Sequence, residues 1–461
     1  MQALLDPAPP PAPRQEGGER IDGAQPTATK VLPSGRDRFI PVSRYGLRAR
    51  LVAMLAESGG NAKSWGRALD CLAAWRHQDH RQRLLELVEN YLPFSPDSDT
   101  AYLIELDQAA RDKARHAFIA GIEKLLLQAN FIRLSANDVQ RLLIERSPYG
   151  LHLDVDLKEF DEALLFYRGT GVTVREERNP WRLYLTKDRF EVPIFERLFL
   201  LFKLKPDEAR IAEIMAATGA DRKRATRLLR KARAHLPLGV SPDHIYVKMF
   251  KRIPQIDLEM LFPNTKIAFR PFDKLKLMVT AGGGTVAGVA GTATKLLAAS
   301  NPFTLAFGIA GLSAVVFRQV MNFFNTRNRY MMVLAQNLYF FSLANNHGAL
   351  TLIADRSEEE DVKEDLLLYA FLARSPSKYD ALSDIKASAT IFLKERCGIS
   401  VDFDAEDALR RLLADGLIRS DAQGNLTAIA PDEARAHLDT LWDRLLDVDG
   451  LDRATSGKAS A

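Results

Sequence analysis

Residues 273–324 read DKLKLMVTAGGGTVAGVAGTATKLLAASNPFTLAFGIAGLSAVVFRQVMNFF. Within this stretch, positions 277–294 and 296–317 are runs of eighteen and twenty-two residues without a charged side chain. At about 1.5 Å per residue, the first run would span roughly 27 Å as a helix, close to the ~30 Å hydrocarbon core of a bilayer. The pattern predicts a transmembrane helical hairpin over 274–329, with its tip at Ser300-Asn301-Pro302.

The charges around this hairpin predict its orientation. No Asp or Glu occurs between positions 274 and 354, whereas Lys274 and Lys276 precede the hairpin and Arg318, Arg327 and Arg329 follow it. Basic residues favour the cytoplasmic side of a membrane. We therefore expect localisation in a membrane, the bacterial cytoplasmic (inner) membrane, with both termini cytoplasmic and the lipid bilayer as a partner.

Small residues would let the two hairpin helices approach closely. Gly284 and Gly288 form one small-xxx-small pair, and Gly308 and Gly311 lie on a second small face, so these four glycines are the predicted helix-packing positions. Ala, Gly and Thr insert weakly into bilayers, and Lys295 interrupts the apolar stretch. The alternative is a glycine-rich hairpin buried in the protein core.

The same glycines also match a nucleotide-binding pattern. VTAGGGTVA fits G-x-G-x-x-G/A through Gly282, Gly284 and Ala287, a pattern in which glycines let a pyrophosphate approach the backbone. The acid expected about twenty residues later, which would bind the ribose, is absent. The sequence therefore predicts no cofactor.

Length and composition define the broad class. The chain has 461 residues, with 63 Lys and Arg against 59 Asp and Glu, a formal net charge of +4. These values are ordinary for a globular chain of about three folded units and exclude a collagen-like or wholly disordered protein. Cys71 and Cys397 are too few for a disulfide framework or a zinc site.

The predicted fold class is mainly α with a small α+β unit, a transmembrane helical hairpin and a C-terminal winged-helix-like module. Periodicity and composition divide the chain into a disordered tail at 1–36, a helical domain at 37–150, an α+β unit at 151–273, the hairpin at 274–329, a helical and winged-helix-like domain at 330–449 and a disordered tail at 450–461.

A strongly basic amphipathic helix is predicted within a helix pair at 206–236 joined at Thr218-Gly219. In a helix-turn-helix interpretation, Met215, Gly219, Ala225 and Leu228 would be the apolar and turn positions. The basic side chains would bind anionic lipid headgroups or phosphates of nucleic acid, or form a solvated face; nucleic acid is the less favoured partner. The candidate polyanion-binding residues are Arg222, Lys223, Arg224, Arg227, Arg230, Lys231 and Arg233.

The C-terminal module carries more acids than bases on its expected recognition helix and flanks, including Asp402, Asp404 and Glu406. Phosphates would be repelled by this helix. Contact with a protein partner of unknown identity is the better use of this module.

Other polar clusters are explained by local structure. His77, Asp79 and His80 do not have the spacing of a common metal site, and an exposed helix end accounts for them. The acidic run at 355–365 is interpreted as a solvated helix face, Tyr167-Arg168-Gly169 as a turn, and 345–348 as a helix cap. We therefore predict no catalytic and no metal-binding residue.

Five segments together resemble the transmembrane protein 143-like family, a domain-of-unknown-function family of bacteria, plants and mitochondria. They are RFIPVSR, LLFYRG, IYVKMFKRIPQIDLEMLFP, LYFFSLANNHGALTLIADRSEEEDVKEDLLLYAFL and FDAEDALRRLLADGLI. The resemblance covers about 38–447 and implies a two-span membrane protein; it implies no reaction, ligand or catalytic residue.

The leading functional hypothesis is a membrane-anchored, non-enzymatic interaction or scaffold protein. The first alternative is a membrane-tethered enzyme or nucleotide-binding protein that uses VTAGGG or the clusters around Arg168 and His347. The second is a membrane-tethered nucleic-acid-binding protein that uses the basic helix.

Overall fold

A computed structural model describes residues 39–97, 106–144, 152–178, 187–268 apart from eight positions between 235 and 265, the three positions 317, 318 and 321, and 339–444. Its helices are α1 (Arg44–Glu57), α2 (Ala62–Tyr91), α3 (Gln108–Gln128), α4 (Ala136–Ile144), α5 (Asp207–Thr218), α6 (Arg222–Arg233), α7 (Asn346–Arg374), α8 (Leu382–Cys397), α9 (Ala405–Ala414) and α10 (Pro431–Arg444). Its strands are β1 (Ile132–Arg133), β2 (His152–Asp154), β3 (Phe160–Arg178), β4 (Lys187–Leu204), β5 (Ile245–Pro254), β6 (Lys266–Ala268), β7 (Ser342–Asn345), β8 (Ser377–Lys378), β9 (Ile418–Ser420) and β10 (Asn425–Ala428).

The central element is a five-stranded antiparallel sheet in the order β1-β3-β4-β5-β7. Strands β3 and β4 pair over their whole length, from Phe160 with Leu204 to Arg178 with Lys187. Strand β5 pairs with β4 only between Ile194 and Lys203 of β4. The far halves of β3 and β4 therefore extend beyond their described neighbours as a two-stranded arm.

Both faces of this sheet are buried. In β4, Phe199 and Leu201 belong to one apolar cluster with α3, whereas Leu198, Leu200 and Phe202 belong to another. Successive side chains of a strand point to opposite faces, so a sheet covered on both sides needs a nearly continuous apolar run. This explains the sequence FERLFLLFKL in β4.

Helices α2 and α7 cross the interior and join two of the apolar clusters. Leu84 and Leu87 of α2 share a cluster with Leu350 and Ile353 of α7 on the sheet side. Leu69 and Leu72 share the other cluster with residues 366–372 of α7 and with α8 and α9. The two helices are therefore antiparallel, and each packs into one cluster near one end and into the other cluster near its opposite end.

The C-terminal part of the chain combines α8 and α9 with a three-stranded sheet in the order β8-β10-β9. Asp421 and Gly424 form the turn between β9 and β10, and Gly424 has a positive φ of 76°. Helix α10 follows and packs against α2. This part is thus attached to the N-terminal helices through a shared core.

The predicted fold class is wrong in two respects. The five-stranded sheet is the centre of the described structure, and it is larger than the small α+β unit that was expected because it recruits β1 and β7 from distant parts of the chain. In addition, no described helix is both long and apolar enough to cross a membrane. The two longest, α2 and α7, have 30 and 29 residues but carry many charged side chains.

The described helices therefore contradict two predictions. These are the transmembrane hairpin at 274–329 and the inner-membrane localisation that depended on it. Nearly all of that segment, with Gly284, Gly288, Gly308 and Gly311, lies outside the described residues, as do the tails at 1–36 and 450–461. The motif VTAGGGTVA lies outside them too.

Candidate functional site

Helices α5 and α6 form a short helical pair that confirms the predicted break at Thr218-Gly219. Helix α5 ends at Thr218, and Gly219 adopts the left-handed conformation with φ 66°. Asp221 then caps α6 by accepting a hydrogen bond from the backbone N–H of Arg224. A turn of three residues containing glycine is typical of a helix-turn-helix motif.

The apolar contact between the two helices is small. Ile211 of α5 packs with Ala225 and Leu229 of α6, and Ile214 borders them. Gly219 and Ala225 thus occupy the expected turn and apolar positions, whereas Met215 and Leu228 are exposed. The apolar face of α6 is therefore covered by α5 and not open to another surface.

Two arginines attach this helical pair to the body of the protein. The guanidinium of Arg210 lies 2.7 Å from Glu159 and 2.9 Å from Asp156. That of Arg233 lies 3.3 Å from Glu159 and donates a 2.8 Å hydrogen bond to the carbonyl of Lys205. Because Glu159 is buried immediately before β3, these ion pairs fix the base of the helical pair.

The remaining bases of α6 point into solvent. Arg222 is paired with Glu208 of α5 at 2.7 Å. The other five candidates are exposed, and no carboxylate of a described residue lies within ion-pair distance of them: Lys223, Arg224, Arg227, Arg230 and Lys231. We call these five residues the basic face of α6. Of the seven predicted polyanion-binding residues, five are thus available and two are occupied by structural ion pairs.

A second cluster of charges is buried between α2, α7 and α9. We call it the ionic network, and its members are Arg76, His80, Glu360, Asp361, Lys363, Glu364, Asp365 and Arg411. It lies between the two apolar clusters to which α2 and α7 both contribute. The acidic run at 355–365 was predicted to form a solvated helix face. This prediction is wrong, because four acids of the run are less than 3% exposed.

Asp365 is the centre of the ionic network. One of its carboxylate oxygens accepts a 2.9 Å hydrogen bond from Arg411 Nε, and the other accepts a 2.8 Å bond from Arg76 Nε. Arg411 also lies 3.0 Å from Asp361 and 3.1 Å from Glu364. Arg76 continues to Asp415, just after α9, at 2.6 Å.

The pKa values of these groups shift because they are buried together. Burial raises the pKa of Glu364 to about 8, and Arg411 only partly offsets this effect. Burial likewise raises the pKa of Asp365 against the opposing effect of Arg411 and Arg76. Burial alone would lower the pKa of Arg411, but Asp365, Asp361 and Glu364 together raise it.

The N-terminal segment joins this network through its backbone. The N–H of Ile40 donates a 3.0 Å hydrogen bond to Glu360, and the carbonyl of Ile40 accepts a 2.7 Å bond from Lys363 Nζ. Glu360 and Lys363 are themselves paired at 2.9 Å. The ring centre of Phe39 lies near two cations, 4.3 Å from the guanidinium of Arg168 and 5.0 Å from Lys363 Nζ.

Four of the five segments that carry the family resemblance contribute residues to the ionic network or to the contacts around Phe39 and Ile40. RFIPVSR supplies Phe39 and Ile40, LLFYRG supplies Arg168, the EEEDVKED run supplies Glu360 and Lys363, and the C-terminal segment supplies Arg411. Sequence reasoning missed this site because each segment looks locally like a turn, a cap or a solvated face.

The other predicted clusters have structural partners. His77 lies 2.8 Å from Glu358, His80 lies 2.9 Å from Asp361, and Asp79 pairs with Arg83 at 2.6 Å. The described residues contain no group of three potential ligands suited to a metal ion. Asn346 begins α7 with a positive φ of 44° and accepts a hydrogen bond from Val247 N–H.

The ionic network is closed to ligands, whereas the basic face of α6 is open. The network's side chains are between 0% and 10% exposed, so no substrate reaches them. The geometry therefore assigns the network to the stability of the fold and leaves the basic face as the candidate functional site.

A family model described as "Protein of unknown function (DUF3754)" matches residues 195–348. The match includes most of β4, the α5–α6 pair, β5 and β7, about a third of the chain. No solved structure matches the chain. The resemblance to the transmembrane protein 143-like family stays a prediction.

We expect replacement of Arg411 by alanine to destabilise the fold by about 3–5 kcal/mol, because the buried Asp361, Glu364 and Asp365 all lose the arginine that they share. The matched control is Arg410→Ala, since Arg410 is the neighbouring arginine and is 75% exposed. That change should alter the free energy of unfolding by no more than about 0.5 kcal/mol. Urea denaturation of both variants measures this difference, and equal effects would contradict the role of Arg411.

The raised pKa of Glu364 predicts a pH dependence of stability. A carboxyl whose pKa is higher in the folded state stabilises the fold fully below its unfolded pKa, and this contribution is lost progressively as the pH rises from there to about 8. Relative to Glu364→Gln, the wild type should therefore lose roughly 1 kcal/mol per pH unit between about pH 5.5 and 7.5. Denaturation of both proteins across this range is the measurement, and parallel pH profiles would show that Glu364 is ionised throughout.

Proposed function

We propose that the protein is a non-enzymatic nucleic-acid-binding protein that contacts phosphates through the basic face of α6. The observation that carries this proposal is the set of five exposed bases on one short helix without acidic partners among the described residues. Lys and Arg that neutralise phosphates release counterions and supply most of sequence-independent affinity.

The attachment of the helical pair supports this function. Arg210 and Arg233 bind Glu159 at the base, so α6 is held in one orientation while its basic face stays free. Helix α6 is also the second helix of a pair with a three-residue turn. In a helix-turn-helix motif the second helix enters the major groove.

A lipid surface fits the basic face less well. An interfacial helix binds a membrane by burying its apolar face among the headgroups and acyl chains. In α6 that face is already covered, since Ala225 and Leu229 are buried against α5 and Leu228 is the one large apolar side chain that is exposed. Nucleic acid needs no free apolar face.

The test is the salt dependence of binding to a duplex of about 20 base pairs. Full use of the basic face predicts a slope of about −4 to −5 in a plot of log affinity against log salt. The triple variant Lys223→Gln, Arg227→Gln, Arg230→Gln should bind on the order of a hundredfold more weakly at about 50 mM salt. Its slope should be smaller by about three.

The matched control removes the same charge from another exposed helix surface. Lys63, Arg67 and Arg81 of α2 are all exposed, so the variant in which these three are glutamine has the same net charge as the α6 variant. Equal losses in the two variants would show that net charge alone drives binding. Stronger salt-dependent binding to anionic vesicles than to the duplex would contradict the proposal in favour of lipid.

A further inference from the structure

A pocket of about 350 Å³ lies between α1 and α2, apart from both the basic face and the buried part of the ionic network. Its rim includes Arg44, Tyr45 and His77, its wall Ala73 and Ala74, and its floor Leu366. A volume of this size is at the lower end of the range for small-molecule sites. The short side chains of Ala73 and Ala74 both line the pocket and leave it room.

Arg44 is the main hydrogen-bond donor at the rim. Arg44 uses one nitrogen in a 3.3 Å contact with Glu358, and His77 Nδ1 lies 2.8 Å from the same carboxylate. Both groups thus contact one acid, and the other guanidinium N–H groups of Arg44 remain without a partner among the described residues. The other cation of the pocket, Arg48, is neutralised by Asp70 at 2.5 Å, so it attracts a ligand less.

An aromatic ring stands beside these donors. Tyr45 is 71% exposed, and the guanidinium of Arg44 lies 5.2 Å from the centre of its ring. The floor is apolar, since Leu69 and Leu366 are buried core residues that line the pocket. The pocket therefore combines an apolar interior with a cationic and aromatic rim.

We propose that this pocket binds a small organic anion with a carboxylate or phosphate head and a planar apolar body. The head would accept hydrogen bonds from the free guanidinium N–H groups of Arg44, because a guanidinium favours carboxylate and phosphate oxygens. The body would lie against Tyr45, Ala73 and Leu366. Neither the family match nor the proposed binding of nucleic acid assigns a ligand here.

The experiment is calorimetric titration of the full chain with benzoate, phenyl phosphate, inorganic phosphate and benzamide. Benzoate or phenyl phosphate should bind at least tenfold more tightly than benzamide, which has the same planar body without charge. Inorganic phosphate has the anionic head without the planar body. If it binds more weakly than phenyl phosphate, the planar body contributes to the affinity. Equal binding of benzamide and benzoate, or no binding of any probe at about 10 mM, would overturn the proposal.

Three variants locate the site. Arg44→Gln should weaken binding at least tenfold, and Ala74→Leu should weaken it similarly by filling the pocket without removing a charge. Arg81→Gln is the control, because Arg81 is exposed on the same helix but does not line the pocket. Unchanged affinity in Ala74→Leu would place the ligand elsewhere. Melting temperatures of the unliganded variants show that each is folded.

Discussion

Asp365 held between Arg76 and Arg411 is the constraint on which the rest of the structure depends. The carboxylate is fully buried, and each of its oxygens accepts a hydrogen bond from a guanidinium of a different helix. A buried charge without such partners costs several kcal/mol. The acids of α7 can therefore be buried only if α2 and α9, which lie 289 and 46 residues away in sequence, pack against it in one register.

This requirement connects parts of the chain that would otherwise be separate. The apolar residues on either side of the ionic network belong to different clusters, one with the central sheet and one with α8, α9 and β8 to β10. The backbone of Ile40 completes the network through Glu360 and Lys363. A rigid body of this kind can hold the α5–α6 pair outward through Arg210 and Arg233, which is what binding by the basic face requires.

Local patterns predicted some of these features and failed at others. The break at Gly219 and the apolar stripe of α6 depend on neighbouring residues, so the sequence of that segment was sufficient. Burial of the acidic run depends on Arg76 and Arg411, which no local window contains. The strand β4 was recognised as β-rich, but its place at the centre of a five-stranded sheet follows from pairing with β3 and β5. The two uncharged runs at 277–294 and 296–317 suggested membrane spans from composition alone, and no described helix is long and apolar enough to be one.

The most direct test of this account is native-state hydrogen exchange of the wild-type protein. If the ionic network joins the two apolar clusters, the slowest amides of α2, α7 and α9 should open with one common free energy, equal within about 1 kcal/mol to that of global unfolding. They should also respond together to denaturant. Exchange of α9 and β8 to β10 at a clearly lower free energy than α2 and the central sheet would contradict the claim, because it would show that the C-terminal part unfolds without breaking the core.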